Sequence, residues 1–289
     1  MHYEGRVIRP PSEAYSILLQ ATVGCSHNKC TFCGTYKDER FKIKSDEAIF
    51  EDIAYAASHF RDRRRLFICD GDALIIPRAR LEKILEEIRR QLPWITRVGV
   101  YANAKSIERK TPEELARLRE LGIGIAYLGL ESGDDVTLKR IRKGADSEKM
   151  IRMGRKIRDA GVKLSVTVLL GVAGRERSEI HASETGRVLS AIDPEYVGAL
   201  SLMLIPGTEM HEEYRTGDFE LLGPEEMLRE LRTMIAHTDM GRGQFHANHA
   251  SNYLPIKARM PRDKEATLQL IDQALSGKIG LKPEWMRAL

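Results

Sequence analysis

Short apolar runs rich in β-branched residues recur along the chain, separated by longer stretches whose apolar positions return every three to four residues. The short runs predict strands near Tyr15–Val23, Leu66–Cys69, Arg97–Tyr101, Gly124–Leu130, Lys163–Leu170 and Tyr196–Leu204. The longer stretches predict amphipathic helices near Asp46–His59, Arg78–Gln91, Thr111–Leu121, Ser147–Asp159 and Ser178–Ala191. Cap signals agree: Ser45 precedes Asp46 and Glu47, Thr111 precedes Pro112-Glu113-Glu114, and Ser147 precedes Glu148. Gly122 and Gly161 stand where helices should end in a left-handed residue. Strands alternating with helices at this spacing argue for βαβ units and a parallel sheet. The expected fold class is α/β, a partial (β/α)6 TIM-like barrel of parallel strands with a C-terminal helical and loop extension. The two further units of a full eight-stranded barrel are not visible. After Pro206 the pattern changes to a helix near Glu225–Ala236, a polar loop and a last helix near Lys264–Ser276. With no repeat or Ser/Gly linker, the expected division is soft: a barrel over 1–215, and an extension over 216–289 that packs on the barrel mouth.

Composition narrows the class. Apolar residues make up 42% and charged residues 30% of 289, which fits a globular protein and excludes a disordered or collagen-like chain. No apolar run approaches the ~20 residues of a membrane helix. The segment MHYEGRVIRPPSEAY has no signal-peptide apolar region, so the expected location is cytoplasmic. A net charge of +4, scattered along the chain, does not by itself imply nucleic acid. The four Cys are too few for a disulfide scaffold, and three of them fall within nine residues.

Those three, Cys25, Cys30 and Cys33, are spaced C-x4-C-x2-C and follow the first predicted strand directly. Sites in parallel α/β sheets lie at that end of the strands. Three thiols in a loop of small and polar residues can close around one soft metal. Zinc would take a fourth ligand, for which His27 is nearest; an iron–sulfur cube on three thiolates would leave one iron open for chemistry. Cys69, inside the second strand, reads as a buried small hydrophobe.

The cysteine loop, Asp70-Gly71-Asp72 after the second strand, Gly129-Leu130-Glu131-Ser132-Gly133 with Leu138 and Arg142-Lys143-Gly144, and Pro206-Gly207-Thr208 after the sixth together resemble the radical S-adenosylmethionine (radical SAM) enzymes. The likeness covers about residues 14–215, and is to the cobalamin-linked, methylthiotransferase and coproporphyrinogen dehydrogenase branches. The usual family spacing is C-x3-C-x2-C, so this loop carries one extra residue. The resemblance implies that the three Cys bind [4Fe–4S] and that Phe32 lies against the cofactor adenine. It implies that Gly71 and Asp72 receive the methionine amino group, that Asn103 stands near the cofactor, and that Glu131 and Lys143 meet its amino-acid end. It implies that Thr167 bonds the ribose and that Gly171 lets a loop pass close to the adenine.

The implied activity is [4Fe–4S]-dependent reductive cleavage of S-adenosylmethionine to a 5′-deoxyadenosyl radical that abstracts hydrogen from a small-molecule substrate. An electron donor such as flavodoxin or ferredoxin and an oxygen-labile cluster follow from the same likeness. The alternatives are modification of RNA or protein, and a non-catalytic cluster or haem carrier on the same scaffold. With 24 residues before Cys25 and a single Cys triad in this sequence, the expectation is a barrel without a cobalamin domain and not a two-cluster methylthiotransferase. For the substrate end the segment Gln244–Pro255 stands out, with His246, Asn248, His249, Asn252 and Tyr253 close together. No helix or strand period explains it, so the expected role is a loop over the barrel mouth with His249, His246, Asn248 and Asn252 as catalytic candidates; a polar surface loop is the other reading. His181 reads as a cap, a surface residue or a proton carrier.

Overall fold

Leu81, Ile84, Leu85 and Ile88 recur at the spacing of one helix face, and all four are buried to 1% exposure or less. Each such side chain contributes about 1.5–3 kcal/mol on leaving water. That stripe makes Arg78–Gln91 a helix laid on a sheet, and the same logic repeats along the chain. The computed structural model describes residues 1–288. They divide into two compact units.

The first unit comprises residues 1–28, 35–128 and 153–164. Its strands are β1 (Ile17–Leu19), β2 (Thr22–Val23), β3 (Lys42–Ile43), β4 (Arg65–Ile68), β5 (Arg97–Ala102) and most of β6 (Ile123–Glu131). The pairings β1–β4, β4–β5 and β5–β6 are parallel, while β2 and β3 form a small antiparallel pair. Helices α1 (Asp46–His59), α2 (Arg78–Gln91), α3 (Ala104–Glu108) and α4 (Pro112–Glu120) connect them. Ser45 caps α1 by accepting from Ala48 N, and Thr111 and Glu114 form a reciprocal capping box on α4. The first predicted strand is broken in two, at Gln20 and Ala21. Gln20 turns inward there, bonding Asp70 and the Glu4 carbonyl.

The second unit comprises residues 29–34, 129–152 and 165–289. It contains α5 (Asp135–Arg140), most of β7 (Lys163–Leu170), α7 (Gly174–Ile192), β8 (Tyr196–Ser201), α8 (Glu209–Thr216), α9 (Pro224–Ala236), β9 (Gly243–His246), β10 (Lys257–Met260) and α10 (Lys264–Leu275); α6 (Ser147–Asp159) is divided between the units. Asp146, rather than Ser147, caps α6, its side chain accepting from Lys149 N at 2.7 Å. The pairings β7–β8 and β8–β9 are parallel and β9–β10 is antiparallel.

The fold is therefore α/β and mostly parallel, as the pattern predicts. The pattern misses β9 and β10, which lie within the stretch expected to be helix and polar loop. Only Phe245 of Gly243–His246 is apolar, too little to register as a strand, yet it is fully buried. Gly122 and Gly161 both take positive φ, at 121° and 74°. Among the described residues no helix is long and apolar enough to cross a membrane.

Candidate functional site

In the first unit, residues gather at the carboxyl ends of β2, β4 and β5. The Gly24 carbonyl after β2 accepts from Gly71 N at 3.1 Å, which brings the Cys25 loop against the turn after β4. The approach is so close that a Cβ on Gly71 would lie 2.7 Å from Cys25 Cβ and 3.0 Å from its Sγ. Only glycine fits there. Asp72 is fully buried; its Oδ2 accepts from Ser26 Oγ at 2.5 Å and from Asn103 Nδ2 at 2.7 Å. Asn103 is thereby fixed at both ends, since its Oδ1 caps α3 through Ser106 N at 2.9 Å. The other carboxylate oxygen, Asp72 Oδ1, is buried without a hydrogen-bond partner. Burial pushes the Asp72 carboxyl up to about 6, against the lowering pull of Ser26. The longer cysteine spacing holds Asn28 at φ 40°, its amide donating to the Tyr36 carbonyl at 2.6 Å. Asn tolerates that left-handed backbone better than most residues. Cys69 is fully buried, and burial raises its thiol.

In the second unit, Cys30 and Cys33 share a tight turn, Cys33 N donating to the Cys30 carbonyl at 3.4 Å. Thr31 between them donates its N–H to the Ile141 carbonyl at 3.2 Å and accepts from Met210 N at 3.1 Å. Phe32 packs on an apolar cluster that includes Leu138, Leu169 and Leu202. At the end of β6, Glu131 takes φ 65° and its Oε1 accepts from Lys143 Nζ at 3.0 Å, with both side chains nearly buried. Thr167 is half-buried on β7, and Gly171, at φ 82°, turns the chain after it. Among the described residues no three His, Cys, Asp or Glu side chains are gathered closely enough to hold a metal ion as they stand.

His246 ends β9 and is half-buried; beyond it, Ala247 N donates to the Ile256 carbonyl at 2.9 Å and continues the β9–β10 hairpin. Because β9 runs parallel to β8, the hairpin tip lies at the carboxyl end of both. His249 Nδ1 accepts from Ser251 N at 3.2 Å and lies 2.9 Å from Ser251 Oγ, an arrangement that assigns the ring proton to Nε2. Burial lowers the pKa of both His246 and His249, disfavouring the charged form of each ring. Asn252 is buried, accepting from Ser201 Oγ and donating to the Ala199 carbonyl, each at 2.8 Å. Asn248 is exposed. The structure thus brings His249 and Asn252 to the end of β8 with Ser201 and Ser251, and leaves Asn248 outside. Sequence reasoning misses Arg287, which donates to the Ser251 carbonyl at 2.6 Å, to Tyr253 Oη at 2.6 Å and to the Leu202 carbonyl at 3.2 Å. Nothing near Arg287 in the chain announces a role 85 residues from Leu202. His181, read as a cap, a surface residue or a proton carrier, is fully buried inside α7, which leaves no room for the surface reading.

The model of the radical SAM superfamily matches residues 19–183, more than half of the chain. The chain belongs to the radical SAM superfamily. Its relatives are distant. An uncharacterised protein of Methanocaldococcus jannaschii is 22% identical over 77% of this chain and 71% of its own length. The heme chaperone HemW of Bacillus subtilis is 21% identical over 79% of the chain and 59% of its own. Coproporphyrinogen III oxidase (HemN) from Escherichia coli, a radical SAM enzyme, shares the fold at a TM-score of 0.57 and 14% identity, over 76% of this chain and 51% of that one. The radical SAM chain thus spans only about half the length of some proteins it matches. Membership makes the chain an enzyme class that uses [4Fe–4S] and S-adenosylmethionine. The donor set fits both: three thiols in one loop suit the cluster, and the unpartnered buried Asp72 oxygen suits a cationic hydrogen-bond donor.

Proposed function

We propose that this radical SAM enzyme removes a hydrogen atom from a small-molecule substrate, with Cys25, Cys30 and Cys33 holding [4Fe–4S] and the strand ends holding S-adenosylmethionine. The observation that carries this reading is Asp72 Oδ1, a buried acceptor without a partner at the end of β4. Leaving a buried carboxylate oxygen unpaired costs about 1–3 kcal/mol, which an ammonium ligand would recover. When bound, the cluster and S-adenosylmethionine supply reductive cleavage of the sulfonium C–S bond and the hydrogen-abstracting radical that results.

The chain's own residues orient the partners. Asp72, held by Ser26 and Asn103, receives the amino group beside Gly71. Lys143 turns from Glu131 to the carboxylate of the cofactor, or shares itself between the two. Thr167 and Gly171 serve the ribose and adenine from the end of β7, and Phe32 offers an apolar face to the ring. His249 holds its proton at Nε2 at the carboxyl end of the sheet, on the side where substrate would enter. Asn252 fixes that loop to β8, His246 flanks it, and Asn248 meets solvent or the outer part of a substrate. The electron enters from a flavodoxin or ferredoxin in the cytoplasm.

A second reading, a cluster or haem carrier, draws on the likeness to the heme chaperone. One experiment separates the two. The protein is reconstituted anaerobically, reduced with dithionite and given S-adenosylmethionine. 5′-Deoxyadenosine that disappears in Asp72→Ala supports the enzyme. A reducible cluster that binds S-adenosylmethionine and never cleaves it, with any candidate substrate pool, favours the carrier.

A further inference from the structure

Glu230 lies on α9 at 1% exposure, far along the chain from every strand-end motif. Its Oε1 accepts from Gly171 N at 2.6 Å and its Oε2 from Ser178 Oγ at 2.5 Å. His181 Nε2 lies 3.5 Å from Glu230 Oε1, and both side chains are fully buried. The other ring nitrogen, Nδ1, is 2.8 Å from Ser132 Oγ. Ser132 Oγ already accepts from Asp134 N at 3.0 Å, so its own proton is free for His181 Nδ1. That assignment leaves the ring proton on Nε2, which faces the Glu230 carboxylate at 3.5 Å without a hydrogen bond.

The chain of contacts therefore runs from the turn after β6 through α7 to α9, and back to the turn after β7. The first turn is fastened to α7 at three successive residues. Ser132 meets His181, Gly133 N donates to Thr185 Oγ1 at 2.8 Å, and Asp134 takes two bonds of 2.8 Å from Arg177. At Gly133 the packing is backbone on backbone, since a Cβ there would lie 2.3 Å from the Glu184 carbonyl oxygen. Glu131, immediately before these residues, is the acid that holds Lys143. Gly171, held by Glu230, opens the turn after β7.

We infer that Glu230, acting through Ser178 and α7, is a positioning residue of the cofactor site, fixing the turns of Glu131 and Gly171 relative to one another. The inference rests on the proposal that those two turns bind S-adenosylmethionine. A buried carboxylate meets a high desolvation penalty, and an apolar residue of similar volume would pack α9 on α7 without it. What the acid adds is direction: it accepts at two fixed points, one on the turn of Gly171 and one on α7, the helix that fastens the turn of Glu131. Outer residues of this kind act on affinity and geometry while leaving the ligands themselves in place.

The test is Glu230→Gln, which keeps the shape and one carbonyl acceptor for Gly171 and removes the charge. In reconstituted, unreduced protein the dissociation constant for S-adenosylmethionine is expected to rise about tenfold, with iron content and thermal midpoint unchanged. In the cluster-free chain, amide exchange at Gly171 and at Ser132–Asp134 is expected to accelerate. Unchanged affinity and exchange would overturn the inference, as would an affinity loss that appears only with a fall in the thermal midpoint. Should Glu230→Gln fail to fold, Ser178→Ala removes one donor from the same carboxylate and is expected to give a smaller change in the same two readouts. Lys143→Ala separates the levels. If it leaves S-adenosylmethionine binding intact, the site assignment fails; if it weakens binding while Glu230→Gln does not, only the role of Glu230 fails.

Discussion

Of the acids at the ends of β4 and β6, Asp72 is buried and Glu131 nearly so, and they meet burial in opposite ways. Asp72 is held from one side by Ser26 and Asn103 and left with an unpartnered oxygen on the other. Glu131 is satisfied within the chain by Lys143, in a pair that retains slight exposure. The first is a socket in need of a cation. The second is a closed pair that must open or share before it can serve a ligand. A zwitterionic amino acid needs one of each: an acceptor for its ammonium and a cation for its carboxylate. The difference teaches that affinity should depend more on the socket, because no side-chain cation is hydrogen-bonded to it as Lys143 is to Glu131.

The largest effect lies outside that comparison and sets its baseline. Cys25→Ala, Cys30→Ala and Cys33→Ala should each abolish the visible absorbance of the reconstituted cluster and all cleavage of S-adenosylmethionine, whereas Cys69→Ala should spare both. An absorbance spectrum and an iron count check this, and loss of the cluster on Cys69→Ala alone would reassign the ligands.

Next, Asp72→Ala should weaken S-adenosylmethionine binding by about 1.5–3 kcal/mol, roughly 10- to 150-fold, the range for a hydrogen bond to a charged group. Calorimetry on unreduced protein reads this directly. The same carboxyl gives a pH signature. Burial raises it to about 6, so below that pH a proton occupies the site the ammonium needs. Affinity should fall about tenfold per pH unit below 6 and flatten above it, and Asp72→Asn should lose that dependence. Stability without cofactor runs the other way. A raised carboxyl binds its proton more tightly folded than unfolded, so ionising it between about pH 4 and 6 costs up to about 3 kcal/mol. Asp70, also raised to about 6 by burial, adds a second slope that Asp72→Asn leaves in place.

Lys143→Ala should weaken binding less, by about fivefold, since releasing Glu131 from its partner offsets part of the loss. An equal or greater effect than Asp72→Ala would reverse the comparison. The smallest effect on binding is expected from His249→Ala, which should leave cluster and cofactor affinity unchanged while cofactor cleavage becomes uncoupled from product. A ratio of 5′-deoxyadenosine to product that does not move would return the hairpin tip to a purely structural role.

Much of this site is visible in the chain before any coordinates. The stripe of Leu81, Ile84, Leu85 and Ile88 places α2, and the sequence order of strand ends places Asp72, Asn103, Glu131 and Gly171 on the same side of their strands. What sequence patterns cannot express is satisfaction. Asp72 and Glu131 look alike as strand-end acids, and only the fold reveals that one lacks a partner and the other has one. His181 stays open in the sequence for a related reason. Cap, surface residue and proton carrier differ in burial, and the buried Glu230 that lies 3.5 Å from it comes from a helix outside the expected barrel. Likewise β9 shows one apolar residue, because its neighbours on β8 and β10 supply the rest of its burial.

The lone oxygen of Asp72 also bears on what the protein would refuse. A site built around an unpaired acceptor discriminates strongly against a molecule that fills the space and brings no donor. Thionucleosides that carry the adenine and sulfur without the amino-acid tail would leave Asp72 stranded and should compete poorly. S-adenosylhomocysteine, which keeps the ammonium, would be accepted by this residue as readily as the cofactor. Asp72 would therefore screen for the tail and be blind to the charge on sulfur, so that competition from the demethylated thioether, which is not a product of the proposed reaction, is a cost built into the way the cofactor is recognised.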